Sequence, residues 1–334
     1  MIGSDYVLEA HNIYHTTEVD TGGCFNGGGQ SALVLKGVHL TVHSGEVMAI
    51  LGSKGSGKRA LLDVIARRSD GSSRGQVLLN GAPLTKSLFQ QRCGYVTHAC
   101  DFIPGLTVSQ TLHYTPTILG GYLKSSKVRQ VLADLALSQV SHKKVENLNI
   151  SEKRRLAIGI QLVRDPVMLL LDEPTQGLDP LSAYLLISIL SNSAKKTGCG
   201  ILLSLEKPRS DVFPFLDRAL FLCLGGAVYS GGTRAMLEYF HGIGFPCPQL
   251  ENPLMYYLCL STVDRRHVIF NQQISITSWI TILPLLLNST VSVKVVIIRY
   301  ADIITALTAF STAITALLRV VFESRHVHCT IGTN

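Results

Sequence analysis

The chain has 334 residues, of which 46% are hydrophobic and 16% are charged, and its formal net charge is +7. This hydrophobic content is ample for a buried core, so intrinsic disorder is not the default expectation. The basic residues are scattered, without a long Lys/Arg run or interleaved aromatic side chains, so the charge argues against nucleic acid as a partner and suits a surface beside anionic lipid.

The N-terminus lacks a basic start followed by an apolar run, so no cleavable signal peptide is expected. The eight cysteines form no CxxC pair and show no zinc-like spacing with histidine, which indicates reduced thiols in a cytosolic domain. Residues 6–13 and 32–42 then alternate apolar and polar side chains, with a glycine-rich loop at 22–29 between them. This pattern predicts an antiparallel N-terminal sheet.

A strand, a loop and a helix are predicted next. A short apolar run at residues 46–51 enters a glycine-rich loop, and residues 60–65 follow with helical spacing. A further strand at 76–79 stops at Asn80-Gly81, a pair that favours a tight hairpin.

The rest of the core is predicted to be α/β. Residues from about 108 to 150 have helix-period apolar positions and form a helical subdomain inserted into that core. Two continuous apolar runs, at 167–171 and 201–205, are typical of central parallel strands and are expected beside the glycine-rich loop.

The glycine-rich loop fits the GxxxxGK part of a P-loop. Its glycines let backbone N–H groups converge on a phosphate, the following helix adds a favourable dipole, and Lys58 reaches the β- and γ-phosphates. A Gly/Ser-rich surface turn is the alternative, but the flanking strand and helix favour the phosphate loop of a P-loop NTPase. The predicted nucleotide-binding residues of this segment are Gly52, Ser53, Lys54, Gly55, Ser56, Gly57, Lys58, Arg59 and Ala60.

Arg59 breaks the P-loop pattern, which demands Ser or Thr at this position to bind the Mg²⁺ that bridges the phosphates. Its guanidinium either points away, or occupies the place of the metal and neutralises phosphate charge. Both orientations predict a weakened Mg²⁺ site and a lower hydrolysis rate.

Asp172 and Glu173 follow the apolar strand at 167–171. Asp172 is predicted to hold Mg²⁺ and Glu173 to act as the general base that polarises the attacking water. An exposed acidic turn is the alternative for this pair alone, but the upstream P-loop favours the catalytic interpretation.

Residues 172–179, DEPTQGLD, resemble the Walker B and D-loop segment of the ATP-binding-cassette family. The chain is most similar to its G subfamily of half-transporters, the white and sterolin type, over about residues 6–266. The segments that carry the subfamily resemblance are 106–108, 111–114, 154–155, 208–213, 244–248 and 252–253.

This resemblance implies a cytoplasmic nucleotide-binding domain that binds ATP, with Tyr14 stacking on adenine. It further implies a membrane location and pairing with a second half-transporter, identical or different, to export sterols or other lipids. Gly177, Leu178 and Asp179 would help two such domains contact each other.

Several positions depart from the family pattern, in addition to Arg59. The signature Leu-Ser-Gly-Gly is replaced by Leu148 followed by Asn149, Ile150 and Ser151. His98 stands where the family has a glutamine that links the metal site to the membrane domain, and Glu206 stands at the switch histidine. A carboxylate aimed at a γ-phosphate is repulsive, so weak or absent hydrolysis is expected at a site that still binds ATP.

Two domains are predicted, a nucleotide-binding domain at 1–266 and an apolar tail at 267–334. The tail is either one or two membrane segments or the end of a truncated or alternatively spliced product. Two functions follow from these alternatives. The chain is either the ATP-binding subunit of a membrane exporter, or a truncated, catalytically silent cassette that regulates another half-transporter.

Overall fold

The computed structural model describes residues 6–19, 30–118 and 125–262. No helix in these three ranges is long and apolar enough to cross a bilayer. The tail at residues 267–334, for which one or two membrane segments were considered, lies outside the described part.

The described residues form ten strands and eight α-helices. The strands are β1 (Val7–Val19), β2 (Gln30–His43), β3 (Val47–Leu51), β4 (Ser72–Leu79), β5 (Ala82–Pro83), β6 (Cys93–Val96), β7 (Met168–Leu171), β8 (Gly200–Leu205), β9 (Arg218–Cys223) and β10 (Gly226–Gly232). The helices are α1 (Lys58–Ile65), α2 (Lys86–Arg92), α3 (Val108–Ile118), α4 (Ser125–Asp134), α5 (Ile150–Leu162), α6 (Pro180–Thr197), α7 (Thr233–Gly242) and α8 (Pro253–Ser261).

The N-terminal strands form an antiparallel sheet in the order β2-β1-β4-β5, as predicted. Strands β4 and β5 are joined by the two residues Asn80 and Gly81, which both have positive φ (52° and 74°). Positive φ at both central positions defines the tight hairpin that the Asn-Gly pair indicated.

The second sheet has the order β10-β9-β3-β8-β7-β6, and all its neighbouring strands are parallel except β9 and β10. The two apolar runs expected beside the glycine-rich loop form β7 and β8 of this sheet, and Glu173, just after β7, contacts Lys58 at the end of that loop. Strand β8 pairs with β3, but β7 is one strand further away and pairs with β8 and β6. Strand order depends on contacts distant in sequence, which apolar runs do not encode.

Strand β3 is completely buried because both faces of the parallel sheet are covered. Met48 and Ile50 pack with α1 and the antiparallel sheet in one core, whereas Val47, Ala49 and Leu51 pack with the helices on the other face. This two-sided burial explains the continuous apolar runs, since alternate residues of each strand enter different cores.

Helices α3, α4 and α5 form the predicted helical subdomain, and α5 continues it to Leu162. Gly159 lets the three helices approach closely. A Cβ there would lie 3.0 Å from Leu135 Cδ1 and 3.2 Å from Leu112 Cδ2. The subdomain places the N-terminus of α5 at its surface, because Ile150 is 62% exposed.

Candidate functional site

The carboxyl ends of the parallel strands meet at one edge of the sheet, the usual place for a ligand in an open α/β fold. The glycine-rich loop follows β3, Asp172 follows β7, Glu206 follows β8, and Thr97 and His98 follow β6. Residues distant in sequence are therefore brought to one edge by the sheet alone.

The loop from Gly52 to Gly57 is a turn that glycine makes possible. At Gly52 a Cβ would lie 2.3 Å from Ser56 Oγ and 2.7 Å from the Leu222 carbonyl oxygen. Gly55 and Gly57 adopt positive φ (82° and 101°), and α1 begins immediately afterwards at Lys58. Backbone N–H groups of such a turn and of the helix N-terminus are suited to an anion.

Lys58 folds back over this loop rather than into solvent. Its Nζ donates a hydrogen bond to the Gly52 carbonyl oxygen at 2.8 Å and to that of Ser53 at 3.4 Å, and it lies 3.4 Å from Glu173 Oε1. Only 9% of Lys58 is exposed. The ammonium is thus held at the loop, where an anion cradled by the turn would meet it.

Asp172 and Glu173 are joined by a serine that the sequence patterns did not single out. Ser204, fully buried in β8, donates its hydroxyl to Asp172 Oδ1 at 2.9 Å and accepts the Glu173 backbone N–H at 2.8 Å. A single polar residue in an otherwise apolar strand was the available signal for this role. Ser204 therefore fixes one carboxylate and the backbone that carries the other.

Glu173 is held in a strained and partly buried position. Its φ of +46° is uncommon for a residue with a side chain, and its Oε2 accepts the Glu206 backbone N–H at 3.0 Å. Burial raises the pKa of Glu173, while the nearby Lys58 ammonium and the Glu206 N–H oppose that change. The carboxylate proposed as general base is already bound on both oxygens by protein groups.

Arg59 lies beside the carboxylate predicted to hold the metal. Its Nε is 3.8 Å from Asp172 Oδ2 and also 3.8 Å from Asp63 Oδ2, one helical turn further along α1. Asp63 in turn accepts the Tyr95 hydroxyl at 2.9 Å. Of the two orientations left open by the sequence, the structure shows the guanidinium next to Asp172.

The protein groups at this place differ from the Mg²⁺ ligands that the P-loop pattern predicts. Asp172 Oδ1 is engaged by Ser204 and Oδ2 faces Arg59, which stands where a hydroxyl ligand is expected. Within the described ranges, no group of three or more His, Cys, Asp or Glu side chains is arranged to hold a metal ion. Mg²⁺ is usually held by one or two carboxylates together with waters and substrate phosphates, and here the carboxylate predicted for this role, Asp172, faces a guanidinium.

His98 is connected to the helical subdomain through Arg154, whose role in the site the sequence did not indicate. Arg154 of α5 is only 4% exposed and donates to the carbonyl oxygens of Thr97 at 3.3 Å and of His98 at 3.0 Å. Its Nη2 is 3.3 Å from His98 Nδ1, and because a guanidinium only donates, this contact requires an unprotonated Nδ1. These contacts join α5 to the loop after β6.

The segment at the signature position begins α5 with a capping box. Asn149 Oδ1 accepts the Glu152 N–H at 2.7 Å, and Glu152 Oε2 accepts the Asn149 N–H at 2.9 Å. Ile150 is exposed at the first helical position and Ser151 is half-buried. Bulky side chains therefore stand around the helix N-terminus where the family pattern has glycines.

Replacing Asn149 with Ala removes this cap, so we expect the free energy of unfolding to fall by about 1 kcal/mol. Urea unfolding followed by circular dichroism measures the change. Asn192→Ala, at an exposed position inside α6, is the matched control and is expected to lose no stability. Equal stability of Asn149→Ala and the parent chain would contradict the capping role.

The remaining predicted residues lie at the periphery of this cluster. Tyr14 is on β1, 43% exposed, with its hydroxyl oxygen 2.9 Å from the position that a Gly37 Cβ would take. Ala60 packs against the core under α1, whereas Lys54 and Gly55 are exposed at the tip of the loop. The stacking of Tyr14 on adenine stays a prediction.

Comparison with known proteins identifies the family. The ABC transporter family model matches residues 35–176, which implies ATP, in general with Mg²⁺, as the ligand. ATP-binding cassette sub-family G member 8 of Rattus norvegicus is 37% identical over 246 residues, which are 70% of this chain and 35% of that protein. Sub-family G member 5 of Homo sapiens is 37% identical over 244 residues, which are 69% of this chain and 37% of that protein.

The fold agrees with this assignment. A solved structure of cbiO1 from Clostridium perfringens, described as part of the ABC transporter complex cbiONQ, superposes with a TM-score of 0.60 at 23% identity. The superposition covers 77% of this chain and 100% of that one. The present chain matches about a third of the length of its sub-family G relatives. From its motifs, fold and relatives, this chain carries an ATP-binding cassette of the ABC transporter family and is similar to members of sub-family G.

Proposed function

We propose that this chain is the ATP-binding subunit of a membrane exporter. It binds ATP at residues 52–58, pairs face to face with a second cassette, and contributes little hydrolysis at its own site. The resemblance to sterolin-like half-transporters suggests sterols or other lipids as the exported molecules. In this arrangement the exporter lies in a membrane with the present domain on the cytoplasmic side.

The position of Lys58 carries the proposal for ATP binding. A buried ammonium is costly unless it is paired, and Lys58 obtains its partners from the loop carbonyls and Glu173. A polyphosphate on the neighbouring turn would add a strong anionic partner to this ammonium. The turn, the helix N-terminus and the lysine therefore supply phosphate contacts that do not depend on the positions that depart from the family pattern.

Three features support weak hydrolysis. Arg59 lies 3.8 Å from Asp172, so a cation of the protein stands beside the metal-holding carboxylate. Glu173 is bound by Lys58 and by the Glu206 N–H, which reduces its freedom to orient a water. Glu206 adds a third carboxylate, besides Asp172 and Glu173, at the edge where negative charge develops on a phosphoryl group, and this charge opposes the transition state.

These same features favour the second candidate, a catalytically silent cassette that regulates another half-transporter. Both functions require ATP binding and pairing with a second cassette. They differ in turnover. If a pair that contains this chain hydrolyses ATP in step with transport, the exporter function is supported. If this chain only lowers or adjusts the ATP turnover of the other half-transporter, the regulatory function is supported.

Binding of ATP is tested by replacing Lys58 with Ala. We expect the affinity of the purified chain for a fluorescent ATP analogue to fall roughly tenfold, because the substitution removes a charge-assisted phosphate contact. Lys86→Ala, which removes an exposed lysine from α2, is the control and should bind as the parent chain does. If the parent chain shows no saturable binding, or if Lys58→Ala binds equally well, the proposed function is wrong.

A further inference from the structure

We propose that Arg59 replaces the divalent metal at this site, so that the chain binds a nucleoside triphosphate without Mg²⁺. This inference rests on the ATP binding proposed above and specifies its ligand, a metal-free triphosphate.

The location of Arg59 is the first argument. Asp63 and Asp172 come from different elements, α1 and the end of β7, and their carboxylates hold the guanidinium between them at 3.8 Å on each side. The Tyr95 hydroxyl fixes Asp63, and the Ser204 hydroxyl fixes Asp172. The positive charge is thus positioned by two carboxylates that are themselves held in place.

The second argument is that Arg59 and a metal would compete for the same oxygen. A Mg²⁺ ion bound through Asp172 Oδ2 would lie beside the guanidinium that already faces this oxygen, and the two cations would repel each other. The hydroxyl that would complete the ligand set is also missing, because Arg59 occupies its position in the sequence. Metal binding at this place therefore requires Arg59 to leave.

The third argument is that Arg59 retains donors for a phosphate. Its contacts with Asp63 and Asp172 are longer than hydrogen bonds, and its side chain is 70% exposed. A guanidinium presents several N–H groups in a planar fork that matches phosphate oxygens, and its charge is permanent. Together with the adjacent Lys58, it places two cations where a cassette normally uses one lysine and a metal.

The test is an equilibrium titration of the full chain with a fluorescent ATP analogue, once in excess EDTA and once in excess Mg²⁺. For the parent chain we expect dissociation constants that agree within about twofold. Arg59→Ser should bind roughly tenfold more weakly than the parent in EDTA and should recover affinity when Mg²⁺ is added, because the serine hydroxyl restores a metal ligand.

Arg234→Ser removes the same charge from an exposed position on α7 and should show the parent behaviour in both buffers. If the parent chain binds the analogue only with Mg²⁺, the inference is overturned while ATP binding stands. If it binds in neither buffer, the proposed function fails as well. If Arg59→Ser does not fold, the titrations of the parent chain and of Arg59→Lys test whether binding is independent of Mg²⁺. The lysine variant keeps the charge and should remain independent of Mg²⁺.

Discussion

Gly225→Ala is expected to destabilise the cassette by about 2–4 kcal/mol and to weaken its binding of ATP. Gly225 has a φ of +82°, and a Cβ there would lie 1.9 Å from the Val34 carbonyl oxygen of β2. Because the clash is with backbone, no side-chain rotation relieves it. The strand or the Gly225 turn must move.

Gly225→Ala should weaken ATP binding as well as stability, because Gly225 connects β2 to the phosphate loop. Its N–H donates to the Ser56 carbonyl oxygen at 3.0 Å, and its own carbonyl oxygen accepts the Lys36 N–H at 2.9 Å. A displaced Gly225 therefore shifts the loop that precedes Lys58. Urea unfolding and titration with the fluorescent analogue measure the two effects separately.

The next residue provides the control for this prediction. At Gly226 the nearest atom to an added Cβ is the Cys223 carbonyl oxygen at 3.6 Å, an ordinary contact distance. Gly226→Ala should therefore stay within about 1 kcal/mol of the parent chain and bind the analogue normally. Equal stability of the two alanine variants would show that the turn at Gly225 adapts, and would refute the proposed connection.

The parts of the fold that the sequence predicts are those encoded locally. The Asn80-Gly81 pair specifies its hairpin through two positive φ values, and the buried run of β3 followed by glycines specifies a strand and a phosphate loop. Each of these features depends on residues within a few positions of one another. Sequence patterns detect them because their physical cause lies in the same segment.

The site contacts that the sequence did not predict join segments far apart. Ser204 reaches Asp172 across 32 positions, and Arg154 reaches His98 across 56. The first contact depends on the pairing of β8 with β7, and the second depends on the packing of α5 against β6. A serine in an apolar strand or an arginine on a helix has many possible partners, and only the assembled sheet selects one.

Hydrolysis should return when two repaired copies of this chain are mixed. The first copy carries Arg59→Thr and Glu206→His, which restore a metal-ligand hydroxyl and remove a carboxylate from the phosphate edge. The second carries Asn149→Ser, Ile150→Gly and Ser151→Gly, which restore small residues around the α5 N-terminus. A face-to-face pair of the two contains one site in which the metal-ligand, switch and signature positions are all restored and only His98 still departs from the family pattern, so we expect phosphate release roughly a hundredfold faster than with either copy alone.

The substitutions are chosen so that the fold tolerates them. Serine is as good an N-cap as asparagine, so α5 keeps its first turn. Ile150 is 62% exposed, so its replacement by glycine costs only the helix propensity, about 1 kcal/mol. If the Glu206 carboxylate stood about 4 Å from a γ-phosphate charge, its removal would relieve about 4 kcal/mol of repulsion at an effective dielectric constant of about 20.

Glu173→Gln in the first copy is the control that locates the activity. If the restored rate arises at the site described, this substitution should return the mixture to the level of the separate copies, because an amide does not accept the proton of the attacking water. Sedimentation of the mixture with ATP reports whether the copies pair. Paired copies that release phosphate no faster than the separate variants would show that Arg59, Glu206 and the altered signature do not limit hydrolysis.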